Sequence, residues 1–232
     1  MSEPDRPASV ELASPRGRRQ RVRRPSARAL EREQEILEVA ADIFHKKGYA
    51  ATTLQDIASA VGLLKGSLYY YIDSKEELLY RITRVIHENA VANLESAEAV
   101  DGGPDAHLRA LVEGHVLAFG RRLTSIRVFY TEYGALTGER RREIMQTRRR
   151  YERYVYDLLD EGCAGGVFCP DIDTRMIGNA ILTMVNSVYL WYRPGSDEPI
   201  ERVATAYADF VLAGLQCPRR HDHARGRTRP SP

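Results

Sequence analysis

The sequence predicts an all-α chain built from two helical domains. Apolar residues recur at three- and four-residue spacing from about residue 31 to residue 216, and no alternating run is long enough for a sheet. Capping residues and glycines also punctuate the stripes where helices should begin and end.

The first stripe is Ile36, Leu37, Ala40, Ala41 and Phe44, closed by Lys46, Lys47 and Gly48. Cations sit well beside the negative end of the helix dipole, and a following glycine can cap it. The pattern predicts a helix over residues 31 to 47. Thr53, with Asp56 three residues on, reads as a variant capping box opening a short helix with Leu54, Ile57, Ala58 and Val61 inward and Gly62 as its stop. A second short helix is expected from about Lys65 to Tyr71. Ser74 with Glu77 then opens a long helix running to about Glu95. Two short helices joined by a glycine-containing turn and packed on a longer first helix are the layout of a helix-turn-helix.

Gly102, Gly103 and Pro104 break the chain, and helical patterns follow at roughly 105 to 121, 124 to 136, 139 to 164, 173 to 192 and 199 to 216. The third of these carries Ile144, Tyr151, Tyr154, Val155, Leu158 and Leu159 on one stripe, opposite an arginine-rich face. The helix from Asp173 is apolar around most of its circumference, so it needs two partners, a core and a second subunit. The expected organisation is a disordered basic arm over residues 1 to 30 and a three-helix DNA-binding domain over 31 to 74. A helical ligand-binding and dimerisation domain then spans 75 to 217, with a disordered tail over 218 to 232.

Composition excludes several classes. With 43% hydrophobic and 28% charged residues, the chain falls in the ordinary globular range. The longest uncharged run, Met176 to Tyr192, is shorter than the ~20 residues of a bilayer span and contains Asn179, Thr183, Asn186 and Ser187, so no membrane association is expected. The polar, arginine-rich start has no signal-peptide pattern, which predicts a cytoplasmic, nucleoid-associated protein. Cys163, Cys169 and Cys217 lack zinc-type spacing and are expected to be reduced, with neither disulfide nor metal. His107 and His115 lie two turns apart on one helix, too far to share a metal alone, and Cys217, His221 and His223 fall at the tail. No nucleophile, acid–base pair or metal set has recognisable spacing. No catalytic residues, no cofactor and no enzyme activity are expected.

The net charge of +2 hides an uneven distribution, because Arg16, Arg18, Arg19, Arg21, Arg23, Arg24 and Arg28 form a block with no acidic residue between Pro15 and Leu30. Such an arm attracts polyanions and releases their counterions on binding.

The segment Thr52 to Lys75, TTLQDIASAVGLLKGSLYYYIDSK, with EILEVAADIFHKKGY upstream, closely resembles the N-terminal signature of the TetR family. It keeps the glycine after the second helix, the Gly-Ser-Leu-Tyr start of the third and the Ser-Lys-Glu-Glu-Leu opening of the fourth. It departs at Tyr71, where histidine is common, and at Ile72, where phenylalanine is typical. The resemblance implies a homodimeric repressor on double-stranded operator DNA, with Thr52 or Thr53, Tyr70 and Lys75 contacting phosphates. Lys65, Ser67 and Tyr69 lie at the start of the recognition helix, within reach of base edges, and Gly66 permits close approach. Twofold symmetry then demands a pseudo-palindromic site, with recognition helices about 34 to 36 Å apart. By the same resemblance the last two long helices form a four-helix dimer interface.

The segments FCPDIDTRMIGNAI and VYLWYRPGSDEPIERVATAYADFVLAGL resemble the C-terminal region of actinobacterial TetR regulators of fatty-acid and steroid-ring degradation, several of which respond to acyl-CoA thioesters. This implies a small-molecule effector, with an acyl-CoA as the leading class. Phe129, Tyr130, Tyr133, Tyr151 and Tyr154 are expected to enclose its cavity, with Asn179 and Asn186 facing from the next helix. The basic run Arg140 to Arg142, Arg148 to Arg150 and Arg153 supplies candidates for CoA phosphates, Arg148 first among them. The competing expectation is a ligand-independent, sequence-tolerant DNA-binding protein in which the arm dominates.

Overall fold

A computed structural model describes residues 26–217; the predicted basic arm up to Pro25 and the predicted tail from Pro218 lie outside the described residues. Among those residues the chain is helical, without strands. In order, the helices are α1 (Ala27–Lys47), α2 (Leu54–Ala60), α3 (Lys65–Leu68), α4 (Lys75–Glu98), α5 (Pro104–Glu132), α6 (Gly138–Ala164), α7 (Thr174–Asn186), α8 (Val188–Trp191) and α9 (Ile200–Leu215).

Caps explain the boundaries. Ser26 accepts the Ala29 N–H and starts α1 earlier than the apolar stripe indicates. Thr53 and Asp56 form both bonds of the capping box on α2. Ser74 caps α4 by accepting the Glu77 N–H at 3.1 Å, and Asp173 caps α7 by accepting the Met176 N–H at 2.9 Å. Gly62, at φ 67°, supplies the left-handed turn between α2 and α3 that other residues reach only with strain.

Three expectations need correction. The patterns at 105 to 121 and 124 to 136 form one helix, α5, bent at Arg122 (φ −142°, ψ 34°), two residues after Gly120; Leu123 and Ile126 continue the buried stripe across the bend. The long helix expected to Tyr192 stops at Asn186, where the Ser187 hydroxyl donates to Met184 O at 2.7 Å and competes with the helical ladder. The cysteines are not all reduced: Cys169 and Cys217 form a disulfide, with Cα atoms 4.7 Å apart. Spacing could not reveal it, because the pair is 48 residues apart. The loop after α6 folds back so that the Cys169 N–H donates to Leu215 O at 2.8 Å, bringing Cys169 to the end of α9. Cys163 stays free, its thiol donating to Cys169 O at 3.3 Å.

Two apolar cores result. One joins α1, α2 and α3 to the start of α4 through Ile36, Phe44, Ile57, Leu68, Leu78 and Leu79, and it also receives Val128 and Phe129 of α5, Leu136, and Ile144 of α6. The other fills the space between α4, α5, α6, α7 and α9, with Leu94, Leu108, Phe119, Leu158, Val188 and Ala208 among its members. Helix α4 threads both, so it couples them mechanically.

Candidate DNA interface and effector cavity

The first site is an open face. Lys65, Gly66, Ser67, Tyr69 and Tyr70 are all exposed on and just after α3, with Tyr70 at 83%. Their shared exposure follows from one anchor: Leu68 is buried at 1% and turns its neighbours outward. Beyond Leu68 the N–H groups of Tyr71 and Ile72 both return to Leu68 O, so the recognition segment is a four-residue helix continued by turns.

Thr52 and Thr53 separate clearly. Thr52 is 1% exposed and its hydroxyl donates to Gly48 O at 2.8 Å, so that hydroxyl is turned into the fold. Thr53 is exposed and bonded to Asp56, whose carboxyl is lowered to about 2 by hydrogen bonds from Lys47 and then from Thr53. Lys75 is half-buried. Its ammonium donates to Tyr49 O and Thr52 O, both at 2.8 Å, and to Ala50 O at 3.3 Å, and it lies 4.4 Å from the Tyr49 ring centroid. Those bonds occupy all three ammonium hydrogens and hold the loop that presents Thr53.

The second site is a pair of adjoining cavities among α4, α5, α6 and α7, partly open to the surface and of about 60 and about 150 Å³. Both are small, and their apolar walls with a few polar groups have the composition of a small-ligand site. The larger collects six of the eight residues expected from the sequence: Phe129, Tyr130, Arg148, Tyr151, Asn179 and Asn186. Tyr133 and Tyr154 fall outside both linings; Tyr133 packs on Phe129 at 5.3 Å, and the Tyr154 hydroxyl is buried without a partner among the described residues. Of the arginine run only Arg148 reaches the lining, where Glu152 bonds it at 2.8 Å. Arg141 instead donates to Gly134 O, and Arg140 lies beside Tyr80.

Sequence reading missed the polar centre of these cavities. His115 contacts Tyr151 through Nδ1 at 3.1 Å and Asn186 through Nε2 at 2.9 Å, and Tyr130 reaches the same Asn186 oxygen at 2.5 Å. Burial holds the His115 imidazole down to about 4, neutral at physiological pH. Asn93 and Arg122 line the smaller cavity, and His87 the larger. The available signal was positional: His115 lies one turn from Phe119 on a helix otherwise stocked with apolar core residues.

Among the described residues no helix is long and apolar enough to cross a membrane, and no cluster of three potential metal ligands occurs.

A helix-turn-helix with an exposed recognition segment, joined through one long helix to a helical domain with an internal cavity, defines a DNA-binding regulator. Family models agree: residues 36–82 match the bacterial regulatory proteins of the tetR family, and residues 101–215 match the tetracyclin repressor-like C-terminal domain. The HTH-type transcriptional repressor KstR2 of Rhodococcus jostii is 30% identical over 188 residues, covering 81% of this chain and 92% of that one. The solved ketosteroid transcriptional regulator KstR2 of Mycobacterium tuberculosis superposes with TM-score 0.77 at 28% identity, over 81% of this chain and 96% of that one. AibR, solved with isovaleryl coenzyme A and operator DNA, superposes with TM-score 0.68 at 27% identity, over 79% of this chain and 97% of that one. The chain belongs to the TetR family of DNA-binding transcriptional repressors.

Proposed function

We propose that this repressor acts as a homodimer on a pseudo-palindromic operator and is released by a small-molecule effector, an acyl-CoA thioester. The observation that carries the reading is Phe129, which lines the larger cavity and also belongs to the core shared with the helix-turn-helix. A ligand against Phe129 pushes on the core that sets the attitude of α3. The ligand class is supported by Arg148 on the cavity wall and by the likeness to AibR, whose structure holds isovaleryl coenzyme A. Release then requires the effector to bind the DNA-incompetent form more tightly, by ~10⁴-fold to swing the balance from 1:99 to 99:1.

The dimer is supported by exposed large apolar residues on the last three helices. Met176 on α7, Leu190 and Trp191 on α8, and Phe210 on α9 are all well exposed, and the Trp191 ring stacks on Tyr207 of α9. Burying them against a second copy satisfies the two-partner requirement read from the sequence. DNA-face roles go to Thr53, Lys65, Gly66, Ser67, Tyr69 and Tyr70 as direct contacts, with Lys75 holding the loop beneath them. A cytoplasmic location and the absence of catalysis complete the reading.

Calorimetric titration with acyl-CoA thioesters and their free acids tests the effector class. Binding of a thioester, weakened by Arg148→Ala, is the expected result; binding of none removes acyl-CoA from the account while leaving the DNA-binding role intact.

A further inference from the structure

The hydrogen bonds around His115 have one consistent direction, and Asn93 sets it. The Asn93 amide nitrogen lies 3.0 Å from Leu111 O, an obligatory acceptor, so that atom is the NH₂ group, and it donates to the Tyr151 hydroxyl as well at 3.1 Å. The Tyr151 hydrogen goes to its other partner, His115 Nδ1, at 3.1 Å. A neutral imidazole accepting at Nδ1 carries its proton on Nε2, and that N–H donates to Asn186 Oδ1 at 2.9 Å. The Tyr130 hydroxyl donates to the same oxygen.

The relay therefore terminates with the Asn186 oxygen taken and its amide nitrogen without a partner among the described residues, on the wall of the larger cavity. An unconstrained asparagine presents oxygen or nitrogen equally well. Turning this one over requires the other His115 tautomer, with Nδ1–H aimed at the Tyr151 hydroxyl, and leaves the buried Tyr151 hydrogen without an acceptor among the described residues.

We propose that the Asn186 amide is the cavity's hydrogen-bond donor to a carbonyl oxygen of the ligand, a thioester or ketone carried on an apolar body, and that His115 is the positioning residue that fixes its orientation. This rests on the reading of the cavity as the effector site. The group recognised at Asn186 is uncharged, because the side chains bonded to Asn186, His115 and Tyr130, are neutral, while Arg148 elsewhere on the lining bonds Glu152 through Nε alone. A carboxylate at Asn186 has no cation bonded to that residue to meet; a carbonyl meets a matched donor.

Two probe pairs, each differing by one oxygen, test this by equilibrium binding to the full-length protein. The first is isovaleryl coenzyme A against S-isopentyl coenzyme A, the thioether lacking the carbonyl. The second, free of coenzyme A, is 4-tert-butylcyclohexanone against its exocyclic-methylene analogue. The carbonyl member of at least one pair is expected to bind about 2- to 10-fold more tightly, the ratio set by one hydrogen bond to a fixed donor. Asn186→Asp keeps the acceptor for His115 and Tyr130 but removes the donor, and His115→Phe frees the amide; both should bring the ratio toward one in proteins that still melt cooperatively.

A ketone preference without binding of either coenzyme A compound upholds the donor and removes the acyl-CoA effector. Equal binding within each pair overturns the donor but leaves the acyl-CoA reading standing. Failure of both pairs to bind overturns it too.

Discussion

The His87 ring stands edge-on against Phe129, with centroids 4.9 Å apart and planes at 83°, and this contact joins α4 to α5 where the cavity meets the DNA-binding core. His87 Nδ1 bonds Thr83 O at 2.9 Å, so the imidazole is held on its own helix and moves with it. On the proposed reading a ligand against Phe129 would press on α4, which begins just after the recognition segment.

That contact predicts the effect of trimming it. Phe129→Leu should cost about 1 kcal/mol or somewhat more in stability, since volume is lost but apolar character is kept. Operator affinity without effector should change little, while the ratio of affinities with and without effector should shrink. Anisotropy titrations on operator DNA read both; an unaltered ratio would remove Phe129 from the coupling route.

Burial of His115 predicts a pH dependence. Its folded-state value of about 4 lies below the ordinary 6.5, so the unfolded chain takes up a proton first as pH falls. The stability it contributes is present above pH 6.5 and is lost as pH drops toward 4, by a total of roughly 3 kcal/mol. His87, also lowered by burial, acts with the same sign. Urea denaturation at pH 7 and pH 5 measures the loss, and His115→Phe should flatten the part of it that belongs to His115.

Lys75 and Tyr70 should behave differently despite their shared place in the family signature. Lys75→Ala removes hydrogen bonds to three carbonyls and is expected to cost about 1 to 3 kcal/mol of folding stability, with DNA binding weakened through the loosened loop. Tyr70→Phe touches an exposed hydroxyl and should leave the melt unchanged while weakening all DNA sequences alike. Thermal melts beside binding curves separate the two. A Lys75→Ala protein that melts like the parent, with a salt slope flattened by about two units per dimer, would return Lys75 to the phosphate contacts.

Two glycines give opposite expectations. A Cβ on Gly66 meets nothing within 4 Å, so Gly66→Ala should fold as well as the parent or better by about 0.5 to 1 kcal/mol, and should lose operator affinity where the groove floor comes close. A Cβ on Gly114 collides with the Asn93 amide, so Gly114→Ala should destabilise by about 1 to 3 kcal/mol and disturb the relay to His115. Undiminished operator binding by the Gly66 variant would place that helix farther from DNA.

The helices and their caps were legible because local signals set them: Thr53 with Asp56, Ser74 with Glu77, and the glycines between. The aromatic lining was legible as far as helical faces allow, which is why Tyr130, Tyr151 and Asn186 were found. Tyr133 and Tyr154 share the same stripes but turn into packing, a difference set by neighbouring helices. His115, Asn93 and the Cys169–Cys217 bridge depend on contacts 36, 58 and 48 residues apart, and no periodicity carries such pairings. Arg122 shows a further limit, since Gly120 beside it marks a weak point in the helix but does not tell a bend from a break.

The most direct test of a ligand-gated repressor is fluorescence anisotropy of the full-length protein on its own promoter DNA at two salt concentrations, with and without acyl-CoA thioesters and their free acids. Specific binding that one thioester releases, and its free acid does not, is the predicted result. Binding that no thioester changes, with little preference over competitor DNA and affinity set by salt alone, would contradict it and favour a sequence-tolerant DNA-binding protein.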